Sequence, residues 1–157
     1  MAVNPIPEGY GTVTPYLHVR NAAAAIDFYK TAFGAVEIMR MADPSGRIGH
    51  AEIQIGTSRI MLADEVPQRN IRGPESLGGS SVSFLIYDVQ VDARFEKAIA
   101  AGARVMTPLK DQFYGDRSGT LEDPFGHRWT ISTHVEDVPP DEMNRRFEAA
   151  RQAAGAS

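Results

Sequence analysis

The chain has 157 residues, a formal net charge of −4 and no cysteine. This length suffices for one compact domain or for two small modules that share a core. The lack of cysteine excludes disulfides, thiolate metal sites and thiol nucleophiles, and no Lys/Arg cluster marks a nucleic-acid-binding face. No apolar run approaches the roughly 20 residues that span a bilayer. Neither nucleic acid nor membrane is therefore an expected partner, and the expected location is the cytoplasm.

The first half of the chain, residues 12–66, has the pattern of one βαβββ module. Its predicted elements are a strand at 13–19, a helix at 22–33 and strands at 36–42, 49–55 and 59–63. Asn21 is a suitable N-cap for the helix, and Gly34 is a suitable stop. The last two strands alternate apolar and polar residues around Gly56, which predicts a hairpin.

The second half, residues 81–134, repeats this order after a linker at 67–80 that is rich in Pro and Gly. Its predicted elements are a strand at 81–87, a helix at 89–101, strands at 104–107, 118–122 and 128–133, and a loop at 108–116. Trp129 shares strand parity with Ile131, which predicts that it packs in the core. The remaining residues, 135–157, are predicted to form a tail with a helix near 140–153.

The two halves also resemble each other in sequence. Thr14 aligns with Ser81 and Phe28 with Phe95, and both pairs lie 67 residues apart. Four mostly antiparallel strands with one helix are typical of an α+β arrangement. The predicted fold is therefore α+β, with two tandem βαβββ modules forming a curved mixed sheet around a central cavity.

Several motifs carry a family resemblance across residues 12–134. They are Ala25–Tyr29 followed by Phe33-Gly34-Ala35, the duplicate of this stretch at 95–103, and the turn Glu122–His127. In this order they resemble the vicinal oxygen chelate superfamily of glyoxalase I, bleomycin-resistance proteins and extradiol dioxygenases. The segments Asp111–Arg117 and Thr133–Val138 are similar to its PhnB-like branch.

The resemblance implies a divalent metal that is held by His or Glu side chains on the first and last strands of each module. Here those positions fall on Thr14, Met61, Ser83 and Thr130. None of these side chains is an imidazole, carboxylate or thiolate, the groups that bind transition metals tightly. We therefore expect the scaffold without the metal and without another cofactor.

Ten residues are candidates for contact with a ligand in the cavity. They are Tyr16, His18, Glu52, Met61, Glu65, Ser83, Phe113, Tyr114, Arg117 and Thr130. The loop at 111–117 supplies aromatic walls and an Arg fork for an anionic oxygen. Alternative interpretations are a surface position for His18, a polar ladder of His50 and Glu52, a solvated loop position for Glu65, and an Asp–Arg pair that fixes the loop.

Three functions remain open at this point. The first is metal-independent binding of a small organic molecule, as the bleomycin-resistance relatives imply, and the net charge favours a neutral or cationic ligand. The second is a glyoxalase-like lyase or isomerase with a relocated acid/base or metal site at His18, Glu52 or Glu65. The third is a structural or regulatory protein whose own side chains fill the cavity. The resemblance also implies a homodimer.

Overall fold

The computed structural model describes residues 3–155 and contains two βαβββ modules. The first module consists of β1 (Tyr16–Val19), α1 (Ala22–Phe33), β2 (Val36–Ala42), β3 (Ile48–Ile55) and β4 (Ser58–Asp64). A 3-10 turn (Pro67–Arg69) and the short helix α2 (Pro74–Leu77) lead to the second module. That module consists of β5 (Ser83–Tyr87), α3 (Val91–Ala100), β6 (Arg104–Asp111), β7 (Asp116–Glu122) and β8 (Arg128–His134), and α4 (Pro140–Gly155) follows it. The α+β fold with two similar modules is confirmed.

Each module forms its own four-stranded sheet. The strand orders are β1-β4-β3-β2 and β5-β8-β7-β6, so β1 and β5 are edge strands. The first and last strands of each module pair in parallel, and the other neighbours are antiparallel. Within residues 3–155 no strand pairing joins the two sheets, so the predicted continuous sheet is divided in two.

The duplication extends to the pairing register. Tyr16 pairs with Met61 in the first sheet, and Ser83 pairs with Arg128 in the second. Each residue of the second pair lies 67 residues after its counterpart, as the sequence alignment predicts.

Two predicted boundaries differ from the structure by three residues or more, and both of these differences involve proline. β1 begins at Tyr16 rather than residue 13, because Pro15 lacks an N–H and only its carbonyl joins the ladder, where it accepts from Met61 N at 2.9 Å. β6 extends to Asp111, so the predicted loop at 108–116 shortens to 112–115. β6 is an edge strand with register shifts on both sides of Thr107, a setting that tolerates Pro108.

Helix α1 has the predicted caps and packs between the modules. Asn21 Oδ1 accepts from Ala24 N at 3.1 Å, and Gly34 ends the helix with a φ of 67°. The ring of Phe33 lies 4.8 Å from that of Trp129 between centroids, which joins α1 to β8. Trp129 is 1% exposed, so its predicted place in the core is confirmed. Among residues 3–155, no helix is long and apolar enough to cross a membrane.

The buried carboxylate of Asp123 connects the two modules. Its Oδ2 accepts from Tyr29 Oη at 2.7 Å and from Trp129 Nε1 at 2.9 Å. Its Oδ1 accepts from the backbone N–H groups of Phe125 and His127, each at 2.9 Å. Burial, together with the charge of Asp123, raises the pKa of Tyr29 well above its usual value, so the phenol stays protonated and donates. Four donors therefore satisfy one buried carboxylate.

We expect Asp123→Ala to lower the free energy of unfolding by about 3–5 kcal/mol, because it leaves the buried Tyr29 and Trp129 donors unpaired. Tyr29→Phe removes one donor and should cost about 1–3 kcal/mol. Urea unfolding followed by Trp129 fluorescence measures both values.

Asp27→Ala, on the exposed side of α1, is the matched control and should stay within about 0.5 kcal/mol of the wild type. A smaller loss for Asp123→Ala than for Tyr29→Phe would contradict the connecting role of Asp123.

Candidate functional site

A cleft of about 780 Å³ lies between the two sheets, where β5 faces the β3–β4 hairpin and the residues that precede β1. One side consists of residues 13–15, which lead into β1, and residues 55–60, which form the β3–β4 hairpin. The other side consists of residues 84–88, in and just after β5. Phe33 and Trp129 also line the cleft. The volume lies within the range of roughly 300–1,000 Å³ that is usual for small-molecule sites, which disfavours a protein filled by its own side chains.

The charged groups of the cleft differ in how they are paired. Arg94 Nε lies 2.7 Å from Asp88 Oδ2, so these two charges compensate each other. The backbone N–H of Gln90 and the guanidinium of Arg94 hold the pKa of Asp88 below its usual value, against the effect of burial. Arg59 has no ion pair among the described residues.

The helix-free face of the first sheet brings four predicted residues together: Tyr16, His18, Glu52 and Met61. Met61 pairs with Tyr16 on one side and with Glu52 on the other. The Tyr16 hydroxyl lies 2.8 Å from His50 Nδ1, and His50 Nε2 lies 3.2 Å from Glu52 Oε1. If His50 carries its proton on Nε2, it donates to Glu52 and accepts from Tyr16. The polar ladder of His50 and Glu52 therefore exists, and it includes Tyr16.

Protonation on this face follows from burial and hydrogen bonding. The hydroxyl of Tyr10 donates to Glu52 and holds the pKa of this carboxyl below its usual value. Burial lowers the pKa of His18 and raises the pKa of Tyr16. The rings of Tyr16 and His18 are stacked with centroids 4.9 Å apart. A neutral imidazole and a protonated phenol thus lie next to each other at neutral pH.

The helix-free face of the second sheet carries Ser83, Tyr114 and Thr130. Thr130 Oγ1 is 2.9 Å from Thr120 Oγ1, and the Tyr114 hydroxyl is 3.1 Å from Ser118 Oγ. Ser83 pairs with Arg128 at the start of β5. These side chains form short hydroxyl contacts across the sheet.

A polar cluster around Asp116 was not predicted from the sequence. The Asp116 carboxylate accepts from Tyr87 Oη at 3.1 Å and Ser132 Oγ at 3.0 Å, and it lies 2.8 Å from His134 Nδ1. Burial alone would raise the pKa of Asp116, but the hydrogen bonds from His134, Ser132 and Tyr87 outweigh it and lower the pKa. His134 Nε2 also lies 2.9 Å from Asp137 Oδ1. His134 thus lies between two carboxylates, Asp116 and Asp137.

Glu65, Phe113 and Arg117 are not part of these clusters. Arg117 binds Asp92 Oδ1 of α3 at 2.6 Å and Asp111 Oδ1 at 3.1 Å, which is the Asp–Arg pairing considered as the alternative. The ring of Phe113 lies 6.0 Å from that of Phe147 in α4 and 5.3 Å from that of Tyr114.

Glu65 has a structural role at the linker. Its carboxylate accepts from Gly73 N at 2.8 Å and from Ser76 Oγ at 2.7 Å. Arg20 Nε completes the cluster at 3.2 Å. Glu65 thus holds the start of α2 against the end of β4 rather than facing the cleft.

The register corrects the assignment of the metal-ligand positions. Thr14 precedes β1 and lines the cleft, and the β1 residue next to Met61 is Tyr16. Thr130 pairs with Leu85, not with Ser83. The equivalent sets are therefore Tyr16, Met61, Ser83 and Arg128, or His18, Ala63, Leu85 and Thr130.

Neither set suits a divalent metal. Each contains at most one imidazole or carboxylate, whereas a protein metal site normally has three or four such ligands. Within residues 3–155, no group of three or more His, Asp or Glu side chains lies close enough to hold a metal ion. The residues present therefore do not fit the metal that the fold implies.

Comparisons with known proteins agree with this architecture. The sequence profile of the Glyoxalase/Bleomycin resistance protein/Dioxygenase superfamily matches residues 11–131. The chain belongs to this superfamily. A relative from Mycobacterium bovis is 44% identical over 146 residues, which cover 91% of this chain and 93% of that protein.

Solved structures show the same superfamily fold. An Arabidopsis thaliana gene product is 27% identical with a TM-score of 0.63, and the match covers 81% of this chain and 99% of that chain. A PhnB protein from Bacillus cereus has a TM-score of 0.60 at 19% identity and covers 78% of this chain and 99% of that chain. At this identity the second likeness shows a common fold and no more.

We expect His134 to make stability depend on pH. Its hydrogen bonds to Asp116 and Asp137 raise the pKa of His134 above the unfolded value of about 6.5. The stabilisation is therefore complete below the unfolded pKa and is lost as the pH rises through the folded pKa. Urea unfolding of the wild type and His134→Gln at pH 6 and 8.5 should give a smaller difference at the higher pH. A difference that grows with pH would contradict this assignment.

Proposed function

We propose that this superfamily member binds a small organic molecule in the cleft between the β3–β4 hairpin and β5 without a metal. The observation that supports this most directly is the cleft itself, with a volume of about 780 Å³ and apolar and aromatic residues on both sides. Burial of apolar ligand surface against these side chains would supply most of the binding free energy. The unsuitable donor set at the family's metal positions argues against a metal-dependent alternative.

We further propose that the protein is a homodimer in the cytoplasm. Several apolar side chains on or beside the helix-free faces are solvent-exposed in the single chain, including Tyr16 (43%), Leu85 (51%) and Tyr87 (66%). Exposed apolar side chains grouped on one face are typical of association surfaces. Light scattering coupled to size exclusion tests this proposal, and a monomer mass at micromolar concentration would contradict it.

A second candidate function is enolisation of a carbonyl compound on the helix-free face of the first sheet. His18 is the neutral imidazole that would take a proton from the carbon next to the carbonyl. The protonated hydroxyl of Tyr16 would then donate to the enolate oxygen. Glu52 and Glu65 are poor bases, because hydrogen bonds from Tyr10 and from Gly73 N–H, respectively, lower their pKa values.

The binding proposal is tested with N-phenyl-1-naphthylamine, a neutral apolar dye that emits when bound. We expect saturable binding to protein purified without added metal, unchanged by EDTA, with less than about 0.1 metal ion per chain by elemental analysis. Binding that requires a stoichiometric divalent metal would contradict the proposal.

A substitution at the mouth of the cleft should locate the dye. Thr57→Trp, in the β3–β4 turn that lines the cleft, should weaken dye binding by at least about 10-fold by occupying the space. Ser45→Trp, an exposed residue of the β2–β3 turn, is the matched control and should bind as the wild type does. Equal loss in both variants would place the dye elsewhere.

Enolisation is tested by proton NMR in D₂O with dihydroxyacetone as the probe. If this second function is correct, the protein exchanges the C–H protons next to the carbonyl, and His18→Gln slows the exchange by about 100-fold. His134→Gln should leave the rate unchanged. Exchange no faster than in buffer without protein would contradict the enolisation proposal.

A further inference from the structure

We infer that the ligand of the cleft is an organic anion, with an apolar aromatic body and a carboxylate, sulfonate or phosphate group bound by Arg59. This inference rests on the proposed binding function and specifies its ligand class. The observation behind it is a guanidinium that forms no ion pair among the described residues, in a cleft that is also lined by apolar side chains.

Arg59 is placed in the cleft by the alternation of β4. Ile60 and Leu62 are buried in the core, so Arg59 and Met61 lie on the opposite, helix-free face. Arg59 is the second residue of β4, at the end of the strand that the cleft reaches. Its position is therefore fixed by a strand, which holds a binding group more rigidly than a loop does.

Gly9 and Tyr10 cover one side of the Arg59 guanidinium without neutralising its charge. The N-terminal segment passes over it, and the guanidinium carbon of Arg59 lies 5.4 Å from the ring centroid of Tyr10. A Cβ on Gly9 would lie only 3.0 Å from Arg59 Nη2, so the backbone approaches the guanidinium closely. The buried Nε of Arg59 has no hydrogen-bond partner among the described residues. Because this Nε is covered, oxygens of a ligand would bind the guanidinium through its other N–H groups.

The carboxylates near Arg59 have other partners. Arg59 is close enough to Glu52 to contribute to the lowered pKa of the Glu52 carboxyl. The two carboxylate oxygens of Glu52 are, however, hydrogen-bonded to Tyr10 and His50, and among the described residues no Arg59–Glu52 ion pair forms within 4.0 Å. Asp88, on the opposite side, is paired with Arg94.

The charge of the cleft is therefore opposite to that of the chain. Asp88 and Arg94 cancel, which leaves the positive charge of Arg59 as the net charge of the described lining residues. The whole chain has a net charge of −4. The sequence-based preference for a neutral or cationic ligand is replaced here, because the local field acts on a bound ligand more strongly than distant, screened surface charges do.

The other residues that line the cleft indicate an apolar body for the ligand. The partly exposed Phe84 supplies aromatic surface, and Val13 and the partly exposed Ile86 supply aliphatic surface. Phe33, Trp129, Ile55 and Ile60 border the cleft but are themselves buried. An Arg fork binds two oxygens of a carboxylate, sulfonate or phosphate at once, which a neutral amide or an amine cannot match. An aromatic acid thus fits both parts of the cleft.

A matched pair of dyes tests this inference. 1-Anilinonaphthalene-8-sulfonate carries a sulfonate on the framework of the neutral N-phenyl-1-naphthylamine. Trp129 is the single Trp of the chain, so energy transfer from Trp129 to each dye detects bound dye, and the effect of Arg59 variants locates it. We expect Arg59→Gln to weaken the anionic dye by about 10- to 100-fold, the range for a charge-assisted hydrogen bond, and to leave the Kd of the neutral dye within about twofold.

Two further variants separate charge from geometry and from folding. Arg104→Gln removes an exposed Arg of the edge strand β6, where Arg104 pairs with Glu122 of β7. This variant should bind both dyes as the wild type does. Arg59→Lys keeps the charge but loses the fork, and we expect an intermediate affinity for the sulfonate. Thermal unfolding midpoints of all variants show whether each protein is folded.

Each outcome separates the inference from the proposed function. If the neutral dye binds and Arg59→Gln weakens both dyes equally or neither, the anionic ligand class is wrong while the binding function remains. If neither dye shows energy transfer from Trp129 in the wild type, the binding function itself is wrong.

Discussion

The arrangement of the molecule depends on one buried carboxylate. Asp123 lies in the turn between β7 and β8 and accepts hydrogen bonds from Tyr29 in α1, from Trp129 in β8 and from two backbone N–H groups of its own turn. Because the donors come from both modules, this side chain fixes the first helix against the second sheet. The position of β1 relative to β5, and with it the cleft, follows from this contact. Trp129 belongs to both features, since it donates to Asp123 and lines the cleft.

The sequence predicts the modules well because their signals are local. The caps at Asn21 and Gly34, the core position of Trp129 and the 67-residue duplication are all found in the structure. The role of Asp123 could not be predicted, because an Asp before Pro and Gly indicates a turn and not its distant partners. The metal-ligand positions were shifted for a related reason. The pairing of Tyr16 with Met61 depends on where β1 begins, and Pro15 sets this start.

In the candidate site, too, the sequence predicts local features but not distant partners. Strand parity brought Tyr16, His18, Glu52 and Met61 to one face, since alternation along a strand determines which face a side chain occupies. Arg117 and Glu65 lie outside the cleft, and strand parity could not show this because their partners Asp92 and Gly73 come from other elements. Arg59 was missed altogether. Alternation with Ile60 could have placed it on the helix-free face, but only tertiary structure shows that it forms no ion pair within residues 3–155.

The duplicated fold thus retains its architecture while the chemistry of its central positions has changed. The most direct test is a crystal structure of the protein grown with naphthalene-1-sulfonate, with anomalous data collected to detect any bound transition metal. We expect the naphthalene ring in the cleft between the β3–β4 hairpin and β5, the sulfonate within hydrogen-bond distance of Arg59, and no anomalous peak at Tyr16, Met61, Ser83 and Arg128. A metal at those residues with the ligand bound to it would contradict the account.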